Sequence, residues 1–215
     1  HCAHLNMKSG CADVSPRIFN RKDFYPMKTE TVILDPVRPD VTLTSYILPG
    51  CRPAMLVLPG GGFYALASHE GDPFAIRFMA EGFNAFVLNY SIGKPKSFFP
   101  RPLTDVSAAI VHIRKNAEKY CIDPDKLFVI GSSAGGYLAG AIGAMWHCDF
   151  AKSPPDMVYG PNRPNGVILT YGVVSTREDI RCFCFDNLVT EEYGEEEVSL
   201  ERYVDEKSAP AFIWH

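Results

Sequence analysis

The chain has 215 residues, 47% of them apolar and 21% charged, with a formal net charge of −4. That length and apolar content suit one soluble globular domain with a sizeable core. The acidic balance, with no block of basic residues, argues against a nucleic-acid partner, and no apolar stretch approaches the roughly 20 residues that span a bilayer, so no membrane partner is expected.

Residues 1–30 read as an N-terminal extension to a single domain covering 1–215. Lys8, Arg17, Arg21 and Lys22 lie in it without the apolar run of a secretory signal, which points to a cytoplasmic protein. Seven cysteines, an odd and scattered set with no C-x-x-C spacing, read as reduced thiols. In Cys182-Phe183-Cys184 an extended backbone would send the two sulfurs to opposite faces, so no metal site is expected there.

Residues 32–34 and 41–48 look like strands separated by a turn-rich segment, which implies an antiparallel start. Residues 54–58, 85–88, 127–130, 167–170 and 211–214 are short and apolar throughout, the pattern of strands covered on both faces. Between them, 74–81 fits a short helix ended by Gly82. Leu103, Val106, Ile110, Ile113 and Ala117 fall on one face of a longer helix, which Asp123-Pro124-Asp125 is expected to close. Alternating strands and helices predict an α/β fold, a mostly parallel sheet with helices on both faces and ligands at the carboxyl ends of its strands. Residues 172–209 lack clear periodicity and read as an irregular insertion near the active-site mouth, with the acidic run 191–197 as a solvated face.

Gly131-Ser132-Ser133-Ala134-Gly135 matches G-x-S-x-G between a strand-like and a helix-like run. In that context the pattern is a nucleophile elbow: the tip residue, Ser133, takes a strained backbone, and the glycines two positions either side remove Cβ atoms that would collide. Ser132 is out of register with those glycines and reads as the x position. Pro59-Gly60-Gly61-Gly62-Phe63 follows the strand 54–58 at the same sheet edge. Gly61 and Gly62, with the N–H of Ala134, are the candidate oxyanion donors. The loop lacks the Gly-Lys-Ser/Thr ending of a P-loop and does not match G-x-G-x-x-G.

Leu58-Pro59-Gly60-Gly61-Gly62-Phe63, Asp123-Pro124-Asp125-Lys126 and residues 131–139 together resemble the α/β-hydrolase carboxylesterases, specifically the acetyl-esterase and acetylxylan-esterase-like branch related to prolyl-oligopeptidase-type serine hydrolases. The likeness runs from about Thr31 to the end of the chain. It departs at Pro59, where relatives of the hormone-sensitive-lipase type carry the His of an H-G-G-G motif. It implies a triad in the order Ser, acid, His, with the acid after the second strand beyond the nucleophile. That strand is 211–214, so the resemblance implies that acid and base lie beyond residue 215, in a fold whose last strands are missing here. An isolated chain so shortened is expected to be marginally stable or to aggregate.

Internal substitutes fit poorly. His147 is about 20 Å along the elbow helix at 1.5 Å per residue. His69 and His112 precede the nucleophile, and His215, with Asp186 or Asp205 as its acid, is a terminal residue. The expected reaction is cleavage of a short acyl ester, with acetylated sugars as substrates implied by family likeness alone, through an acyl-Ser133 intermediate with a small-molecule ester as partner and no metal or organic cofactor. Phe63, Tyr64, His69 and Tyr90 are candidate substrate-lining residues, Phe63, Tyr64 and Tyr90 being equally suited to packing the core. A small-peptide peptidase, which would use the same triad, and an inactive hydrolase-fold protein are the alternatives.

Overall fold

The computed structural model describes residues 26–153 and 160–215. Most of the expected N-terminal extension, with Lys8, Arg17, Arg21, Lys22, Cys2 and Cys11, therefore lies outside the described residues. One seven-stranded sheet runs in the order β1-β2-β4-β3-β5-β6-β7. Its strands are β1 (Lys28–Ile33), β2 (Thr42–Ile47), β3 (Arg52–Leu58), β4 (Asn84–Asn89), β5 (Ile122–Ser132), β6 (Gly166–Thr170) and β7 (Ala211–Trp214). β2 pairs antiparallel with both β1 and β4, and every other pairing is parallel. β1 starts inside the expected extension, because Lys28 to Thr31 pair with Thr44 to Ile47 despite their polar side chains.

The unbroken apolar runs are explained by two cores. Successive side chains of a strand point to opposite faces. Met55 and Val57 of β3, with Ala85 and Val87 of β4, pack beneath α1 (Asp72–Ala80). Ala54, Leu56 and Leu58, with Phe86 and Leu88, face α2 (Arg101–Lys115) and α3 (Ala134–Met145). Leu103, Val106, Ile110 and Ile113 of α2 are buried as their spacing predicts.

Two expectations change. Asp123-Pro124-Asp125 does not close α2: that helix ends at Lys115, where the Asn116 side chain donates to the His112 carbonyl at 2.8 Å. The three residues instead lie within β5. The Asp125 N–H donates to the Asp123 carboxylate at 3.0 Å, and a register shift opposite Arg52 and Ala54 absorbs the turn. Second, residues 172–209 are built from short pieces: 3-10 turns at Phe183–Asn187 and Leu200–Arg202, and α4 (Glu195–Val198). Their lack of periodicity hides burial, since Cys184, Phe185, Leu188, Val198 and Leu200 all join the main core.

At the other end of the sheet β7 pairs with β6 alone among the described residues, leaving Phe212, Ile213 and Trp214 exposed. Among the described residues no helix is long and apolar enough to cross a membrane.

Candidate active site

Ser133 is the junction between β5 and α3. Its backbone sits at φ 51°, ψ −115°, a region that costs a non-glycine residue on the order of 1–3 kcal/mol. The surroundings enforce it: the Ser133 N–H donates to the Thr170 carbonyl at 3.0 Å and its carbonyl accepts the Tyr137 N–H at 3.0 Å. A Cβ on Gly131 would fall 2.8 Å from the Gly136 nitrogen and nearer still to the Gly135 carbonyl. A Cβ on Gly135 would fall 2.7 Å from the Pro59 oxygen and nearer still to that of Leu58. The first glycine thus lets strand and helix touch, and the second lets the helix press on the end of β3. Ser132 is buried, its hydroxyl 2.8 Å from that of Thr170.

The loop after β3 lies against this turn, for a Cβ on Gly60 would be 3.1 Å from the Ser133 Cβ. Gly61, Gly62 and Phe63 all take positive φ, which turns the chain back on itself. Every carbonyl from Pro59 to Phe63 is engaged. The Tyr90 hydroxyl donates to Pro59 at 2.6 Å, the Ala67 N–H to Gly60 at 2.9 Å, the Ala65 N–H to Gly61 at 3.1 Å, the Asn187 side chain to Gly62 at 2.9 Å and the Gly93 N–H to Phe63 at 2.8 Å. The N–H groups of Gly61, Gly62 and Ala134 find no acceptor among the described residues. Ala134 also opens α3, whose N-terminal dipole favours negative charge.

Two of the four expected lining residues are elsewhere. Phe63 is fully buried, edge-on to Tyr137 with ring centroids 5.8 Å apart, and Tyr90 is buried under the loop. Both are corrections in favour of core packing: positive φ at Phe63 swings its ring inward, and burial pushes the Tyr90 phenol far up, fixing it as a donor to Pro59. Tyr64 and His69 are exposed beside the loop, Tyr64 against Gly62. Tyr90→Phe is therefore expected to lower the melting temperature by roughly 2–6 °C, the loss of one buried hydrogen bond, without raising KM. A rise in KM with unchanged stability would return Tyr90 to the substrate cleft.

Glu70 escaped the sequence reading. It ends the 3-10 turn Ser68–Glu70 and is buried, accepting the Gly60 N–H at 2.7 Å and the Tyr171 hydroxyl at 2.7 Å. Burial and this bond raise the Tyr171 phenol pKa. The only hint in the sequence is a carboxylate in the turn that leads from the glycines to α1.

Among the described residues no histidine hydrogen-bonds the Ser133 hydroxyl. His112 lies 3.0 Å from the Tyr120 hydroxyl, and His147 pairs with Asp205 at 3.6 Å beyond the far end of α3. Asp186 is paired with Arg181. His215 follows β7, two strands from β5 in the sheet and so about 10 Å across it. Among the described residues no group of three or more His, Cys, Asp or Glu is placed to hold a metal.

A strained serine between a parallel strand and its helix, a glycine loop beside it and helices on both sheet faces define the α/β-hydrolase class. Within that class the chain belongs to the BD-FAE family, whose model matches residues 48–174. It is 39% identical over 168 residues to endo-1,4-beta-xylanase B of Butyrivibrio fibrisolvens, covering 76% of this chain and 26% of that protein. To the acetylxylan esterase of Xylanibacter ruminicola it is 32% identical over 128 residues, covering 59% and 24%. The chain thus spans about a quarter of the length of these two curated relatives. Among solved structures, an acetyl ester-xyloside bifunctional hydrolase from Caldicellulosiruptor lactoaceticus superposes with a TM-score of 0.73 at 33% identity, over 84% of this chain and 68% of that one. The α/β hydrolase MGS-M1, from a deep-sea metagenome library, gives 0.67 at 31% identity over 88% and 69%. The chain is thereby similar to carboxylesterases and acetylxylan esterases.

Proposed function

We propose that the protein is a serine esterase that removes short acyl groups, acetyl foremost, from carbohydrate esters. The observation that carries this reading is the glycine loop, with five carbonyls tied away and the amides of Gly61 and Gly62 left without acceptors among the described residues, beside the serine at the elbow. In the proposed mechanism the Ser133 oxygen attacks the ester carbonyl and passes its proton to a base. The carbonyl oxygen becomes an oxyanion held by the N–H groups of Gly61, Gly62 and Ala134. Collapse of the tetrahedral intermediate expels the alcohol, which takes the proton back from the base, and water then releases the acid from acyl-Ser133.

The acetyl and sugar preference is supported by the names of the xylan-directed relatives. Exposed Tyr64, at the rim of the loop, is the aromatic face on which a sugar ring would stack. The test is labelling of the full-length protein with a fluorophosphonate, together with turnover of p-nitrophenyl acetate and acetylated xylan. The adduct is expected on the peptide containing Ser133 and on no other, with acetate released from both substrates. A label elsewhere, or none, would overturn the serine mechanism.

A further inference from the structure

We propose that Glu70 is a positioning residue that aims the oxyanion loop, acting as a hydrogen-bond acceptor; this rests on the esterase reading above. One carboxylate oxygen takes the Gly60 N–H at 2.7 Å and the other takes the hydroxyl of Tyr171, 101 positions away in the chain, at 2.7 Å. Gly60 follows β3 and Tyr171 follows β6, while Ser133 follows β5, which lies between those strands in the sheet. The carboxylate therefore bridges the two strand ends that flank the elbow.

The contact is close on all sides. A Cβ on Gly60 would stand 2.6 Å from the Glu70 oxygen, 2.8 Å from the Ser132 carbonyl and 3.1 Å from the Ser133 Cβ. Moreover, the peptide group joining Pro59 to Gly60 is pinned at both ends, its carbonyl by the buried Tyr90 hydroxyl and its N–H by Glu70. A peptide unit is planar, so fixing both polar atoms fixes the direction in which the chain enters Gly61 and Gly62. Here the only side chain held on the N–H is that of Glu70.

A buried negative charge next to a forming oxyanion opposes it, so the carboxylate does not stabilise the transition state by charge. Its use is geometric, and a neutral side chain of the same shape serves. Glutamine fits: its carbonyl accepts the Gly60 N–H while its NH2 donates to the Tyr171 oxygen, which can accept as well as donate.

The experiment compares Glu70→Ala and Glu70→Gln with the unaltered full-length protein on p-nitrophenyl acetate, each corrected for folded, fluorophosphonate-titrated sites, and follows amide hydrogen exchange across residues 59–66. Glu70→Ala is expected to lower kcat roughly tenfold to a hundredfold, with KM within about twofold, because oxyanion contacts strengthen only in the transition state. Exchange across 59–66 should rise while that of β3 stays unchanged, and Glu70→Gln should recover most of kcat. A Glu70→Ala kcat within twofold of the parent, a Glu70→Gln no better than Glu70→Ala, or unaltered exchange in the loop would overturn the proposal. Ser133→Ala is run alongside: persistent turnover in it would remove the esterase reading, whereas loop exchange judges Glu70 without any turnover.

Discussion

Ser133→Ala is expected to abolish p-nitrophenyl acetate turnover in the full-length protein, by on the order of 10⁴-fold or more, without loss of the folded state. In the proposed mechanism the hydroxyl oxygen is the atom that forms the covalent bond, and a nucleophile that acts with a base and an oxyanion hole cannot be replaced by either of them. A second substitution separates chemistry from structure. Ser133→Gly removes the same oxygen but also the Cβ that makes φ 51° costly, so it should melt above Ser133→Ala despite glycine's greater freedom when unfolded. Ser132→Ala, one residue away, should keep turnover and lose only about 1 kcal/mol, since its hydroxyl is engaged with Thr170 in the interior. If Ser133→Ala keeps more than a tenth of the parent rate, the nucleophile is another residue.

Gly135→Ala is expected to be strongly destabilising for so small a substitution. The added methyl would meet the carbonyls of Leu58 and Pro59, and neither the end of β3 nor the first turn of α3 has a flexible side chain to move aside. Overpacking of this kind costs about 1–3 kcal/mol and more where backbone opposes backbone. At the upper end, near 3 kcal/mol, the melting temperature of a domain this size falls by roughly 6–12 °C. The alternative to unfolding is retreat of α3, which carries the Ala134 N–H away from Gly61 and Gly62 and lowers kcat as well. Gly50→Ala is the control. Unlike Gly135 it has positive φ, 90°, and nothing lies within 4 Å of its Cβ, so only the left-handed backbone penalty of about 1–2 kcal/mol applies. Equal melting losses in the two variants would show that the contact between helix and strand is not what Gly135 protects.

The sheet was legible because its central strands are covered: five uniform apolar runs appear in the sequence, and β3, β4, β5 and β6, largely buried, and β7, expected to be covered on both faces but exposed, occupy the same places. The elbow was legible because its sterics are local, with Gly131, Ser133 and Gly135 all within one turn of chain. What sequence could not display depends on distant partners. Glu70 looks like any surface acid until Tyr171 is folded onto it. Phe63 and Tyr90 stand at strand ends, where a cleft is expected, but the direction of their rings is set by a positive φ and by the carbonyl of Pro59. Cys184, Phe185 and Leu188 belong to the core without helical or strand period, since a 3-10 turn of five residues is too short to show one. Asp123-Pro124-Asp125 carries a strong turn signal, and a turn is present; the sequence does not tell that the sheet continues around it.

The glycine loop places its polar contacts in the main chain and its two aromatic neighbours on opposite sides, Phe63 inward and Tyr64 outward. On the proposed function, substitution at the rim alters which alcohol is admitted while the candidate oxyanion amides keep their positions. Under the esterase reading, substrate preference and catalytic power thus rest on separate atoms, one set in side chains at the rim and the other in the backbone.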